Sequence, residues 1–180
     1  MESKAKPARK KPAITKPKRP KVPIYGAAGK AIKGEWYDEE AAELAVEFFA
    51  RYLSHSKGPL AKQAFVLEPW QADMIRSIFG CKLRDGNRRY RTVYCQVPRK
   101  NGKTTLAAGI ALLLLFFDRE EGAEIYSAAA DKEQASICFD LAKQMIERSP
   151  ALRKRAKLYR KAIEYKKRQS IYKPISRDAG

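Results

Sequence analysis

The segment Val97–Thr105 constrains this chain more than any other, because it contains Gly102-Lys103-Thr104 between two runs of contrasting composition. The run before it, Thr92–Val97, is β-branched and apolar and predicts a strand, whereas Leu106–Leu115 predicts a helix. Strand, loop and helix in this order are typical of a phosphate-binding loop, whose backbone N–H groups and helix N-terminus face a nucleotide's phosphates. The sequence thus predicts a nucleotide site where Lys103 supplies positive charge and Thr104 binds Mg²⁺.

The loop departs from the common pattern G-x-x-x-x-G-K-[ST], which would place glycine where Val97 stands. It also carries Arg99 and Lys100, so that it holds three cations within five residues. Such dense charge beside buried elements is costly unless an anion neutralises it. The alternative interpretation is a basic turn with a chance Gly-Lys-Thr. The residues predicted to contact the phosphates are Pro98, Arg99, Lys100, Asn101, Gly102, Lys103, Thr104 and Thr105.

The formal net charge of +18 is concentrated at the two ends of the 180-residue chain. Residues 1–22 hold nine bases and one acid, and residues 153–173 hold ten bases and one acid. Prolines interleave the first stretch, which lacks the apolar content to fold alone, so residues 1–33 are predicted to be a basic disordered arm. Attachment to nucleic acid and simple solubilisation are both open for this arm. Neither a signal peptide nor a membrane span is predicted.

The cysteines and the single histidine exclude several kinds of site. Cys81, Cys95 and Cys138 are odd in number and lack C-x-x-C spacing, so they predict neither a disulfide framework nor a zinc site. His55 is the only histidine, which leaves no histidine cluster for a metal and no base of the serine-hydrolase type. We interpret it as an ordinary surface residue near the end of a helix.

The remaining elements predict one α/β domain over residues 34–180. A helix begins at Asp38 and continues to about Leu53, and a second begins near Pro69 with Gly80 just past its end. A polar turn follows and leads into a strand at about Tyr90. Later elements are a strand at 123–129, a helix from the cap Asp131 to about Ser149, and a hairpin of 162–165 with 170–175. The fold class predicted is a partial P-loop NTPase of the RecA-like (ASCE) type, a parallel sheet flanked by helices.

Three ordered motifs resemble the ATPase portion of the large terminase subunit of tailed bacteriophages. They are Leu67-Glu68-Pro69-Trp70-Gln71, the loop 97–104, and Ala128-Ala129-Ala130-Asp131-Lys132-Glu133-Gln134-Ala135. In that family the ATPase drives viral DNA into the procapsid, and a separate nuclease domain cuts the DNA. The family's loop tolerates loss of the first glycine and carries arginine at the position of Arg99, so the resemblance implies catalytic roles for Arg99 and Lys103.

The resemblance also implies cofactors, partners and a location. Gln71 can donate to and accept from an adenine edge, and Phe65 or Trp70 can lie beside the base, which favours ATP with Mg²⁺ over GTP. Without the loop, the favoured interpretation of Pro69-Trp70 is a helix start that fills the core. The implied partners are double-stranded DNA, the portal protein and the small terminase subunit, with a homo-oligomer possible, in the cytoplasm of a bacterial host.

Two acidic features of the family are not found in the sequence. The first is a strand that ends in Asp-Glu, which would orient Mg²⁺ and polarise the attacking water. The nearest match contains Asp118 at the far end of the helix after the loop, where topology argues against that role. The second is the nuclease domain's acidic cluster. We therefore expect a truncated terminase ATPase domain that binds ATP with little hydrolysis and exposes a sheet edge. The alternatives are a non-enzymatic basic nucleic-acid-binding protein and a helicase-like ATPase fragment.

Overall fold

The computed structural model describes residues 35–56, 58–118 and 120–176. The predicted disordered arm, residues 1–33, lies outside the described residues. The elements in chain order are β1 Trp36–Tyr37, α1 Glu39–Tyr52, α2 Pro69–Gly80, β2 Cys81–Lys82, α3 Lys103–Phe116, β3 Glu124–Ala129, α4 Lys132–Arg148, α5 Pro150–Arg153, β4 Ala156–Leu158, β5 Ile163–Tyr165, a 3₁₀ turn Lys166–Arg168, and β6 Ser170–Ser176.

Four strands form a mixed sheet in the order β3-β6-β5-β4. β3 pairs with β6 in parallel, from Glu124 opposite Ile171 to Ala129 opposite Ser176. β5 pairs antiparallel with both β6 and β4. The predicted α/β class and the predicted hairpin are thus confirmed, but the sheet is not parallel throughout, because the hairpin joins it. β4 was not predicted, since it has only three residues inside a strongly charged run.

The first two helices begin at recognisable caps. The Asp38 carboxylate accepts a hydrogen bond from the backbone N–H of Ala41 at 2.9 Å, and two acids follow in the first turn of α1. Pro69 opens α2, and Glu68 with Gln71 forms a capping box. Gly80 is the last residue of α2 rather than the residue after it, a difference of one position at a helix end.

The strand predicted at Thr92–Val97, and its start near Tyr90, are wrong. Residues 92–98 have no regular secondary structure, and their side chains are mostly exposed, with Tyr94 86% exposed. Strand composition forms a strand only where a neighbour accepts its backbone hydrogen bonds. Among the described residues, no strand pairs with this segment.

Helix α3 is the centre of the hydrophobic core. It packs against α4, β3, β6 and α1. Buried side chains lie on most of its surface, including Leu106, Leu112, Leu113 and Leu115. Its long apolar run is therefore explained by burial inside the domain. Across the described part of the chain, no helix is both long and apolar enough to cross a membrane.

Candidate nucleotide-binding site

The loop before α3 is shaped by two residues in the left-handed backbone region. Lys100 has φ of +67°, and Gly102, the N-cap of α3, has φ of +70° and ψ of +15°. Glycine suits such a position because it carries no Cβ. Alternation of left-handed and right-handed residues turns successive N–H groups toward one side, which creates a concave anion-binding surface. Lys100 and Gly102 thus give the loop two left-handed positions, as anion-binding loops often have, immediately before a helix of 14 residues.

Side chains of the loop hydrogen-bond to its own carbonyl groups. Lys103 Nζ donates to the carbonyl oxygen of Val97 at 2.6 Å. The amide nitrogen of Asn101 donates to the carbonyl oxygens of Pro98 at 3.2 Å and Arg99 at 3.4 Å. The loop therefore folds back on itself, and the Lys103 side chain joins the start of α3 to the carbonyl group of Val97.

The cations of this loop are accessible. Arg99, Lys100, Lys103 and Thr104 are exposed, and Thr105 is half-buried. Three exposed cations thus lie within five residues at the N-terminal, positive end of the α3 dipole. A chemical group that fits this donor set is a polyanion such as a nucleotide's phosphates, with the Thr104 hydroxyl available to Mg²⁺.

The upstream motif lies against the loop. Gln71, in the first turn of α2, is 4% exposed, and its Oε1 accepts from the N–H of Glu68 at 3.0 Å. Its Nε2 lies 3.6 Å from the position that a Cβ on Gly102 would occupy. The structure therefore brings together two motifs that are about 30 residues apart in sequence.

The two aromatic residues predicted beside the base differ in accessibility. Phe65 is 3% exposed, and its ring packs against Phe49 at 5.4 Å and His55 at 4.8 Å between centroids. Trp70 is half-buried and packs against the core. Their contact with a base stays a prediction, and Phe65 also fills the core.

A cavity of about 390 Å³ adjoins the start of α3. Its lining residues are His55, Ser56, Thr104, Thr105, Ile137, Asp140, Leu141 and Gln144. Sequence reasoning missed His55, Asp140 and Gln144. The spacing of Asp140 and Gln144 places both on one face of α4, but only the packing of α4 against α3 shows that this face lies beside the start of α3.

Asp118 is engaged elsewhere. Its carboxylate accepts from Arg88 at 2.6 Å, and it follows α3 at the end opposite Lys103. A helix of 14 residues is about 21 Å long, so Asp118 is remote from the loop. Within the described residues, no group of three or more His, Cys, Asp or Glu could hold a metal ion.

Two of the three thiols, those of Cys81 and Cys138, are shielded by burial. Cys81, Cys95 and Cys138, all within the described ranges, are free. Burial raises the pKa of the Cys81 thiol and of the Cys138 thiol. A raised pKa keeps both as neutral thiols, which are poor nucleophiles.

Comparison with known proteins shows the family of this chain. The sequence model of the terminase large subunit ATPase domain matches residues 69–180. The chain belongs to the terminase large subunit ATPase family. The large terminase subunit of Enterobacteria phage HK97 is 33% identical over 111 residues, which are 61% of this chain and 21% of that protein. The crystal structure of the HK97 bacteriophage large terminase matches with a TM-score of 0.67 and 27% identity, over 77% of this chain and 28% of the other.

The match to this terminase family confirms the predicted family, and the structural match supports the fold class. The chain spans about a fifth of the length of the curated terminase it matches.

Proposed function

We propose that this chain binds ATP with Mg²⁺ through residues 97–105, as part of the terminase motor that moves viral DNA into procapsids. The observation that carries the proposal is the loop itself. Lys100 and Gly102 adopt left-handed conformations directly before the core helix α3, and Lys103 joins the start of α3 to the carbonyl group of Val97. Membership of a terminase ATPase family supports nucleotide use.

Different residues of the site bind the phosphates and the Mg²⁺ of a nucleoside triphosphate. The backbone N–H groups of residues 99–103 face the phosphates. The side chains of Arg99 and Lys103 neutralise the phosphate charge. The Thr104 hydroxyl is the Mg²⁺ ligand, and Thr105 extends the polar lining. The bound Mg²⁺ would neutralise phosphate charge, which is the chemistry that it supplies in phosphoryl transfer.

Gln71 is proposed to read the base, with Trp70 and Phe65 beside it. Its Oε1 already accepts from Glu68, so its Nε2 is the group placed toward the loop. As a donor this amide suits an acceptor on the base, a feature that adenine shares with guanine. The proposal of ATP therefore rests on membership of the ATPase family.

We further propose that hydrolysis by this chain alone is weak or absent. Among the described residues, Asp118 is paired with Arg88 and no acidic cluster lies near Lys103. Double-stranded DNA, the portal protein and the small terminase subunit are the proposed partners, in the cytoplasm of a bacterial host. A homo-oligomer is proposed on the same basis.

The test is a titration of a fluorescent ATP analogue with Mg²⁺ into the chain and into Lys103→Ala. We expect saturable binding that weakens at least tenfold in the variant, because a charge-assisted hydrogen bond contributes about 1.5–3 kcal/mol. Lys161→Ala, an exposed lysine far along the chain, is the control and should bind as the parent does. Equal binding by the parent and Lys103→Ala would refute the site. Phosphate release measured in the same samples tests the proposal of weak hydrolysis, which rapid turnover would contradict.

A further inference from the structure

The segment Arg153–Lys167, here called the basic hairpin, contains β4, β5 and their flanks at one edge of the sheet. Ala156, Ile163 and Tyr165 are buried and anchor it to the core. The N–H of Tyr159 donates to the carbonyl oxygen of Ala162 at 2.8 Å, which closes the turn. The segment is therefore a built part of the domain with a fixed backbone.

The side chains that the basic hairpin exposes are almost all cationic. The eight exposed cations are Arg153, Lys154, Arg155, Lys157, Arg160, Lys161, Lys166 and Lys167. Within the described ranges, none of them forms an ion pair. Arg168, the next residue, differs because it donates to the carbonyl oxygen of Asp118 and lies 3.9 Å from Glu121.

The single acid of the basic hairpin is occupied locally. Glu164 accepts a hydrogen bond from the hydroxyl of Tyr159 at 2.9 Å. Lys157 lies over the Tyr159 ring, with its Nζ 4.9 Å from the centroid. Glu164 is therefore bonded to Tyr159 and, among the described residues, forms no ion pair with a cation of the basic hairpin.

We propose that the basic hairpin binds the sugar-phosphate backbone of duplex DNA, at a surface distinct from the nucleotide loop. This inference rests on the proposed function and names where the chain touches its DNA. A three-residue strand extends about 10 Å, a length over which duplex DNA carries about six phosphate charges. Of the eight cations, Lys157 lies on β4 and the other seven lie on the segments that flank β4 and β5. The basic hairpin therefore offers at least as many positive charges as such a length of duplex carries phosphates.

The surface fits DNA better than a membrane. Tyr159, at 42% exposed, is the one large hydrophobic side chain that is exposed in the basic hairpin. Its hydroxyl and ring are already engaged by Glu164 and Lys157. Interfacial membrane binding requires an apolar face beside the cations, which this hairpin does not present. Contacts to phosphates alone also imply binding without sequence preference.

The test measures how the affinity of the full chain for a labelled short duplex depends on salt. For Arg160→Ala/Lys161→Ala and separately Lys166→Ala/Lys167→Ala, we expect weaker binding. The slope of log Kobs against log salt should fall by up to about 1.8 for each pair, since each lost phosphate contact removes about 0.9. The control Arg51→Ala/Arg84→Ala removes two exposed cations outside the basic hairpin and should keep the parental slope.

A parental slope in both hairpin variants would overturn the proposal and leave protection of a sheet edge as the role of these cations. The ATP-analogue titration on the same variants separates this result from failure of the proposed function. Parental nucleotide binding shows that the variants are folded and that the nucleotide site is independent of the hairpin.

Discussion

The side chain of Lys103 contacts the main chain of Val97, which explains why valine is tolerated where the common motif has glycine. Its Nζ donates to the carbonyl oxygen of Val97, an atom that every residue type provides. The left-handed positions of the loop are Lys100 and Gly102, not residue 97. A glycine at position 97 is therefore not required for the backbone form observed, and departure from the common motif is compatible with a phosphate-binding loop.

Glu43 is expected to contribute a small, pH-dependent stabilisation. It accepts two hydrogen bonds from Arg76, at 2.6 and 3.2 Å, and this bonding holds the pKa of its carboxyl below the ordinary value of 4.5. Because the folded pKa is lowered, the stabilisation is present above pH 4.5 and is lost as the pH falls through the folded pKa. Both side chains are partly exposed, so we expect less than about 1 kcal/mol.

Urea unfolding of the parent and Glu43→Gln measures this contribution. The variant should be less stable at pH 7, and the difference should shrink as the pH falls below 4.5. Glu47→Gln changes an exposed acid of the same helix and serves as the control. A stability difference that grows in acid would show that the pair does not act as described.

The main helices could be predicted from the sequence, whereas the strand predicted before the loop does not form. Asp38 and Asp131 mark the starts of α1 and α4 because their carboxylates accept local backbone hydrogen bonds. Thr92–Val97 has the composition of a strand, but pairing depends on a distant neighbour, which local composition does not report. The candidate residues of the loop are contiguous, so a local motif predicts them. His55 and Asp140 come beside Thr105 only through tertiary packing, which the sequence does not report.

Close packing between α1 and α3 depends on Gly109. A Cβ at this position would lie 2.4 Å from Cε1 of Phe49, whose ring is fully buried and packs edge-on against Phe48 and Phe65. Overpacking costs about 1–3 kcal/mol, and the better helix propensity of alanine offsets about 1 kcal/mol of it. We expect Gly109→Ala to lower the free energy of unfolding by up to about 2 kcal/mol.

Denaturant unfolding of Gly109→Ala, Phe49→Leu and the double variant checks this contact. The smaller leucine should accommodate the added methyl group, so the double variant should lose less stability than the sum of the single changes. Ala107→Gly, on the exposed side of α3, gives the propensity term alone. An alanine variant more stable than the parent by the full propensity term would contradict the packing argument.

Across the whole molecule, the net charge of +18 opposes compaction. Raising the ionic strength from about 10 mM to about 150 mM shortens the Debye length from about 30 Å to about 8 Å and screens this repulsion. We expect the melting temperature to rise by roughly 2–4 °C, the shift that about 1 kcal/mol produces in a domain of this size. Thermal melts in sodium chloride measure the rise.

Arg160→Ala/Lys161→Ala, with two fewer cations in the basic hairpin, should melt higher than the parent at low salt and gain less from added salt. A parental melting temperature that is flat or falls with salt would show that charge repulsion does not limit the stability of this fold.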